Sequence, residues 1–363
     1  MTTVHQVVPV LARADAVGAH TLLARDAFRA AGWSSEVFAE DLHDDVRREA
    51  RPVHHLDRAG PADLLLYQCS TGTALTSWLL DRPEPLAVEY HNITPAPYFE
   101  RWEPEAARNM RRARADLARL APRTALAIAD SSFNAAELAE AGFPPAAVVP
   151  PLVDLGAVAA RPHRATAEAL RRARRGAHWL FVGRLAPNKC QHDVIAALAA
   201  ARRLGLDPGA RLTLVGSTTS DGYRDALAAL ADDLGVAGAV TFTDRIGTAQ
   251  LAAHWADADV FVCLSEHEGF CVPVVEAMQA GVPVVAHAAG AVPETVGPAG
   301  VLLDDKDPVL VAVAVTRLLA DPVRRGELVD SGKARAAELG AEVVAPRLVE
   351  VVRRFLEGGA RGG

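Results

Sequence analysis

The sequence predicts an α/β protein of two doubly wound, Rossmann-like domains, each built on a parallel sheet. Three observations predict it. Strand-like apolar runs alternate with helical patterns over most of the 363 residues, and such alternation lays helices on both faces of a parallel sheet. The length suits two domains of ordinary size. The plan also restarts midway: the Pro150-Pro151 pair marks an extended linker, and the Arg- and Ala-rich stretch to Gly176 carries no strong strand signal. The expected division is a first domain over 1–155 and a second over 156–340.

The elements follow in order. Val4 to Ala12 reads as the first strand, Arg13 to Gly18 as a glycine-bearing loop, and Ala19 to Ala31 as a helix. A loop between the first strand and first helix is where a phosphate or sugar approaches the backbone, which makes Gly18 a candidate ligand-binding residue. Asp63 to Cys69 and Leu86 to Tyr90 read as buried strands. The second runs into the polar cluster Glu89-Tyr90-His91-Asn92, at the carboxyl edge where open α/β sheets bind ligands. Phe99 to Leu120 reads as an Arg-rich helix. Its acids Glu100, Glu103, Glu105 and Asp116 balance the charge as on a solvated face, and the other reading is a patch for an anionic acceptor or a membrane surface. Thr124 to Ala129 is a strand, and Asp130-Ser131-Ser132 supplies capping chemistry for the next helix.

The second series opens on the strand His178 to Val182, the loop Gly183 to Lys189 and a helix from Cys190 to Leu204. Arg184 and Lys189, five apart on that loop, have the spacing to clamp a diphosphate. Lys189 is one of only three lysines, so its place on the loop is informative. Strands at Arg211 to Gly216, Val240 to Thr243, Val260 to Leu264, Pro283 to Ala286 and Gly300 to Leu303 alternate with helices at Asp221 to Leu234 and Thr248 to Trp255.

Composition bounds the function. The net charge of −7 argues against a generic nucleic-acid binder. Cys69, Cys190, Cys263 and Cys271 show no C-x-x-C spacing and read as reduced thiols, neither a disulfide frame nor a zinc site. No apolar run approaches the roughly 20 residues that span a bilayer, and no signal peptide is apparent; the expected location is cytoplasmic, with peripheral contact at the inner membrane face left open.

The densest chemistry lies in Ser265 to Gly281, SEHEGFCVPVVEAMQAG. A strand, a short Gly loop and a helix start in that order make an anion site. Glu268 precedes the helix. Glu276 follows two turns on, where a carboxylate can accept two hydrogen bonds from a diol.

With Glu268, Gly269, Phe270, Pro273, Glu276, Ala277, Gly281, Pro283 and Val284, this stretch closely resembles the E-x7-E donor site of family 4 glycosyltransferases, enzymes of the two-domain GT-B fold. Gly183, Arg184 and Lys189 match that family's G-R-x-x-x-x-K element. Gly290 to Glu294 resembles its G-G-x-x-E element, with Ala291 for the second glycine. The resemblance covers nearly the whole chain. It implies two sheets facing a central cleft, a last helix (Val343 to Phe355 within 341–357) packed on the first domain, and retaining transfer of a hexose. The donor would be a UDP-, GDP- or ADP-sugar, and the acceptor a hydroxyl of a saccharide, lipid or natural product. It implies catalytic roles for His91, Arg184, Lys189 and Glu268. It also implies donor contacts from Gly18, Gly183, Asp244, Ile246, Gly269, Phe270, Cys271 and Glu276, with Glu276 on the ribose. No D-x-D element stands at a suitable strand end, so no metal and no cofactor beyond the donor are expected, and the cations and helix start would supply the positive field. Front-face attack is the expected mechanism. The alternatives are an epimerase-like or phosphorylase-like enzyme on the same fold, and a degenerate sugar-nucleotide binder. Acceptor and oligomeric state stay open.

Overall fold

The strands of this chain are short, rich in Val and Leu, and largely buried, as parallel strands covered on both faces must be. The computed structural model describes residues 2–13, 15–58 and 62–359. They divide into two compact units: Met1–Pro97, Pro104–Val153 and Leu339–Gly363 form one, and Tyr98–Glu103 with Asp154–Glu338 form the other.

The first unit carries β1 (Val4–Leu11), β2 (Val37–Leu42), β3 (Arg51–Pro52), β4 (Leu64–Cys69), β5 (Leu86–Tyr90), β6 (Thr124–Ala129) and β7 (Ala147–Val148). They form one parallel sheet in the order β3-β2-β1-β4-β5-β6-β7. The order reverses between β1 and β4, so the crevice of this sheet opens at their carboxyl ends. The long helix Ala341–Gly359 closes one face: Val344, Leu348, Val349 and Val352 are buried in a cluster with Val4, Phe28, Leu64 and Ile128.

One expectation here needs correction. Gly18 does not lie on a loop; it sits in the first turn of the helix Ala16–Ala30. Asp15 caps that helix, its carboxylate accepting from the amides of Val17 (3.2 Å) and Gly18 (3.4 Å), so these amides are taken. The glycine is needed for packing: a Cβ at position 18 would lie 2.1 Å from the Ala12 carbonyl oxygen, on the backbone leaving β1. Ala14, part of the expected loop, lies outside the described residues. The Arg-rich helix also starts later than its composition suggests, at Pro104, since proline with its fixed φ and missing N–H suits a first turn. The preceding segment Tyr98–Glu103 clusters with the second unit, where the Trp102 ring stands 5.5 Å from Tyr223 and Ser220 Oγ donates to the Trp102 carbonyl (3.2 Å). Within the helix, Arg108 and Arg119 pair with Glu105 and Asp116, one turn back. Arg114 turns inward to the Ile93 carbonyl (2.6 Å) and Glu137 (2.8 Å).

The second unit carries β8 (His178–Val182), β9 (Arg211–Val215), β10 (Val240–Thr243), β11 (Val260–Cys263), β12 (Val284–His287) and β13 (Gly300–Leu303). These six parallel strands run in the order β10-β9-β8-β11-β12-β13. The reversal falls between β8 and β11, which brings the loops after those two strands side by side. Trp179, Leu212, Leu214, Val262 and Val285 from the sheet pack with Val194, Leu198, Val311 and Val315 from covering helices. The aspartates Asp257 and Asp259 serve structure. Asp257 holds His178 Nδ1 (2.9 Å) and Arg211, while Asp259 takes Arg174 through both carboxylate oxygens (2.6 Å each) and the His178 amide (2.8 Å).

Candidate functional site

The adjacency of β8 and β11 joins the two halves of the motif chemistry. The chain leaves β8 through Gly183 and exposed Arg184, makes a 3-10 turn at Pro187–Lys189, and enters the helix Gln191–Arg203. It leaves β11 through Ser265 to Phe270 and enters the helix Val272–Gln279. Lys189 Nζ and Glu268 Oε2 meet at 2.6 Å, and the two side chains are 20% and 8% exposed. Burial opposes the charge on Lys189, but the Glu268 carboxylate outweighs it and holds the ammonium above its usual range. The Arg184 carbonyl accepts from Gln191 Nε2 (2.8 Å), but the guanidinium has no hydrogen-bond or ion-pair partner among the described residues and is available to an anion.

Three supports fix this geometry, and of their residues only Gly290 is a motif letter. Asn188, 3% exposed, bridges the loops, receiving the Glu266 amide at its carbonyl (3.0 Å) and donating through Nδ2 to the His267 carbonyl (3.2 Å). Lys306 ties Glu266 (2.7 Å) to Asp193 (2.6 Å) on the neighbouring helix. Gly290 (φ 56°) lies so close to Glu268 that a Cβ would be 2.5 Å from its carbonyl oxygen, and the Ala291 amide bonds that same oxygen (2.9 Å). The sequence signal for Asn188 and Gly290 was their place inside loops already flagged. What it lacked was the pairing of those loops.

The rest of the E-x7-E stretch lines up behind Glu268. The Phe270 carbonyl accepts from Thr295 Oγ1 (2.6 Å), and Cys271 sits at the helix start with φ 79°, a conformation uncommon outside glycine. At that helix start Pro273 lacks an amide and Val274 bonds the Cys271 carbonyl (3.0 Å), which leaves the amide of Val272. Glu276 is half-buried and its carboxylate has no partner among the described residues; desolvation pushes its carboxyl up to about 7. Asp244 and Ile246 follow β10 at the same carboxyl edge, Asp244 exposed and Ile246 half-buried. Gly183, Arg184, Lys189, Asp244, Ile246, Glu268, Gly269, Phe270, Cys271 and Glu276 thus share one edge region of one unit, whereas Gly18 and His91 belong to the other.

His91 lies at the end of β5 in a buried polar network. Gln68 Nε2 donates to Gln6 Oε1 (2.9 Å) and Glu89 Oε2 (3.0 Å), which turns Gln68 Oε1 toward His91 Nε2. That ring nitrogen therefore carries a hydrogen. The other, Nδ1, lies 3.0 Å from both Asp130 oxygens. Donation from both nitrogens is the imidazolium form, and burial of Asp130 raises that carboxyl, so His91 and Asp130 share the Nδ1 proton. Burial opposes that charge, yet Asp130 prevails and the His91 pKa is raised. His20 completes the network, accepting the Leu152 amide at Nδ1 (2.9 Å) with Nε2 3.1 Å from Glu89. Both nitrogens of His91 are engaged within the first unit, so a bond from this ring to a sugar requires one of them to be released.

Two parallel sheets, each reversing order at its first strand, with cation and carboxylate loops at the carboxyl edge of the second, define a two-domain α/β protein of the GT-B fold. The structural neighbours agree. Anabaena HepE in complex with UDP and glucose superposes with a TM-score of 0.79 over 97% of this chain and 100% of that chain, at 17% identity. A sucrose-phosphate synthase from Thermosynechococcus elongatus gives 0.77 over 99% and 100%, at 20% identity. The family described as Glycosyl transferases group 1 matches residues 167–335, within the second unit. Among curated relatives, a D-inositol 3-phosphate glycosyltransferase from Segniliparus rotundus is 35% identical over 221 residues, 59% of this chain and 48% of that protein. A GDP-mannose-dependent alpha-(1-6)-phosphatidylinositol monomannoside mannosyltransferase from Mycobacterium tuberculosis is 38% identical over 222 residues, 58% and 56% of the two chains. The match thus spans about half the length of these relatives.

Proposed function

We propose that this chain is a glycosyltransferase that moves a hexose from a nucleotide diphosphate sugar to an acceptor hydroxyl with retention at the anomeric carbon. The observation that carries the reading is the unpartnered Arg184 beside the Lys189–Glu268 pair at the β8/β11 reversal. When the bond from the anomeric carbon to the β-phosphate breaks, negative charge builds on the leaving diphosphate. Arg184 and Lys189 are placed to offset it, and no metal is needed in this scheme. Lys189 turns from Glu268 to the phosphate as donor enters. Glu268 then accepts from the sugar hydroxyls, and Glu276 from the ribose diol. We favour front-face attack, in which a leaving phosphate oxygen takes the acceptor proton as the new bond forms; a covalent sugar trapped on Glu268 would overturn that mechanism.

The relatives' names mention GDP-mannose, and the neighbour's title UDP and glucose, so the base is the first thing to measure. Thermal unfolding with UDP, GDP, ADP and their sugars, with and without EDTA, should show a shift for one base that EDTA leaves unchanged and Lys189→Ala abolishes. No shift with any nucleotide would count against the reading.

A further inference from the structure

Cys263 ends β11 and Cys271 begins the helix Val272–Gln279; the seven residues between them fold back so that the two sulfurs lie 3.8 Å apart. Both thiols are buried and free. A carboxylate oxygen of Glu268 completes the group, all three atoms lying within 4.8 Å of one another. Zinc–thiolate bonds of about 2.3 Å in a tetrahedron set their two sulfurs about 3.8 Å apart, the separation already present here. Ser265 Oγ, 3.4 Å from Cys263 Sγ, or a water can take the fourth position.

We propose that Cys263, Cys271 and Glu268 form a binding site for a thiophilic divalent cation of the zinc class, and that its occupation inhibits the enzyme by engaging Glu268.

The charges balance. Binding releases the two thiol protons, and two thiolates with one carboxylate around a divalent ion carry a net single negative charge. The Lys189 ammonium, already on Glu268 at 2.6 Å, lies where it offsets that charge and can hold the second carboxylate oxygen as an outer partner. The Cys271 thiol lowers the pKa of Cys263, and the same contact with burial raises that of Cys271, so Cys263 gives up its proton first and the second leaves as the cation binds. Cys190 stands in another group, with His192 and Asp193, which offers one sulfur where the proposed site offers two. Inhibition follows because a carboxylate committed to a cation cannot accept from a sugar hydroxyl. That consequence rests on the proposed transferase reading; the binding itself does not.

The test is a Co2+ titration of the whole protein under reducing, oxygen-free conditions. It should give a thiolate-to-cobalt charge-transfer band that saturates at one ion per chain. Cys263→Val and Cys271→Gly should each abolish the band, while Cys190→Ala should keep it. Cys271→Gly guards against misfolding, since φ 79° suits glycine. In a transfer assay, stoichiometric Zn2+ should lower the rate at least tenfold, a chelator should restore it, and Cys263→Val should be insensitive. Absence of the band at one equivalent, or its survival in Cys263→Val, overturns the site. A band without any transferase activity in the metal-free protein would keep the site and count against the functional reading.

Discussion

Lys189 and Glu268 pose the sharpest question a single residue can ask of this protein. Each is the other's counter-ion at 2.6 Å, and Glu268 is 8% exposed. Removing one partner of such a pair strands the other charge, at a cost of about 3 kcal/mol. Lys189→Ala is therefore expected to lower stability by about that much and to cut kcat/KM by about 10² to 10³ through loss of transition-state charge compensation. Lys189→Ala with Glu268→Gln should regain most of the stability and none of the activity. Denaturant melts of both variants check this; a double variant no more stable than the single would show that the pair is not coupled. Glu276 supplies a second test. Burial raises its pKa from 4.5 to about 7, so the folded protein holds a proton there that the unfolded chain releases. Its contribution is fully present below pH 4.5 and is lost as pH rises through 7, and Glu276→Gln should flatten that loss. A ribose diol donates to the ionised form, so nucleotide binding near pH 7 should release a proton. Calorimetry in buffers of differing ionisation enthalpy would detect the release, and a buffer-independent heat would rule out Glu276 as the diol acceptor.

Elements bring these residues together, and they explain what the sequence disclosed. Strands β5, β6, β8 and β13 were legible to the residue because they are mainly apolar runs, and the edge strand β10 because Val240 and Phe242 alternate with Thr241 and Thr243. β2 escaped because Val37-Phe38-Ala39 gives way to Glu40-Asp41, and β3 and β7 are two residues each. The helix Arg164–Ala173 also escaped, since it buries no residue fully and Leu170 is the one large apolar residue on its Ala-rich face. At the site, the motif residues could be read because their loops carry unusual letters, but Asn188 and the network of Gln6, Gln68, Glu89 and His20 could not. Those side chains are defined by partners 15 or more residues away, which spacing along one chain does not encode. Gly290 tests how far one element depends on another. A Cβ there meets the Glu268 backbone at 2.5 Å in a left-handed conformation, whereas Gly326, inside the helix Pro322–Leu339, has open space around it. Gly290→Ala should destabilise the protein by more than 1 kcal/mol and weaken nucleotide binding, while Gly326→Ala should stabilise it by about 0.5 to 1 kcal/mol. Equal melting points for the two variants would refute the nesting of the 288–291 turn on Glu268.

At the scale of the whole molecule, sequence order and structural membership part company at the C-terminus. Residues from Leu339 on cluster with the first unit although 185 residues of the second, Asp154–Glu338, precede them. The helix Ala341–Gly359 gives the first unit Val344, Leu348, Val349 and Val352, all at most 7% exposed and packed with Val4, Phe28 and Leu64. At about 1.5–3 kcal/mol for each buried apolar side chain, these four are worth roughly 6–12 kcal/mol, which rivals the total stability of an ordinary domain. Each unit also has its own core, so unfolding is not expected to be two-state. Calorimetry should resolve two transitions. If, as proposed, a nucleoside diphosphate binds at Arg184, Lys189 and Glu276, it should raise one of them, that of the second unit, by mass action. Truncation before Ala341 should remove the other transition and leave the nucleotide-sensitive one in place. If the truncated chain instead keeps both transitions, the C-terminal helix is not part of the first unit's core. If truncation removes the nucleotide-sensitive transition, the candidate donor site does not reside in the second unit alone.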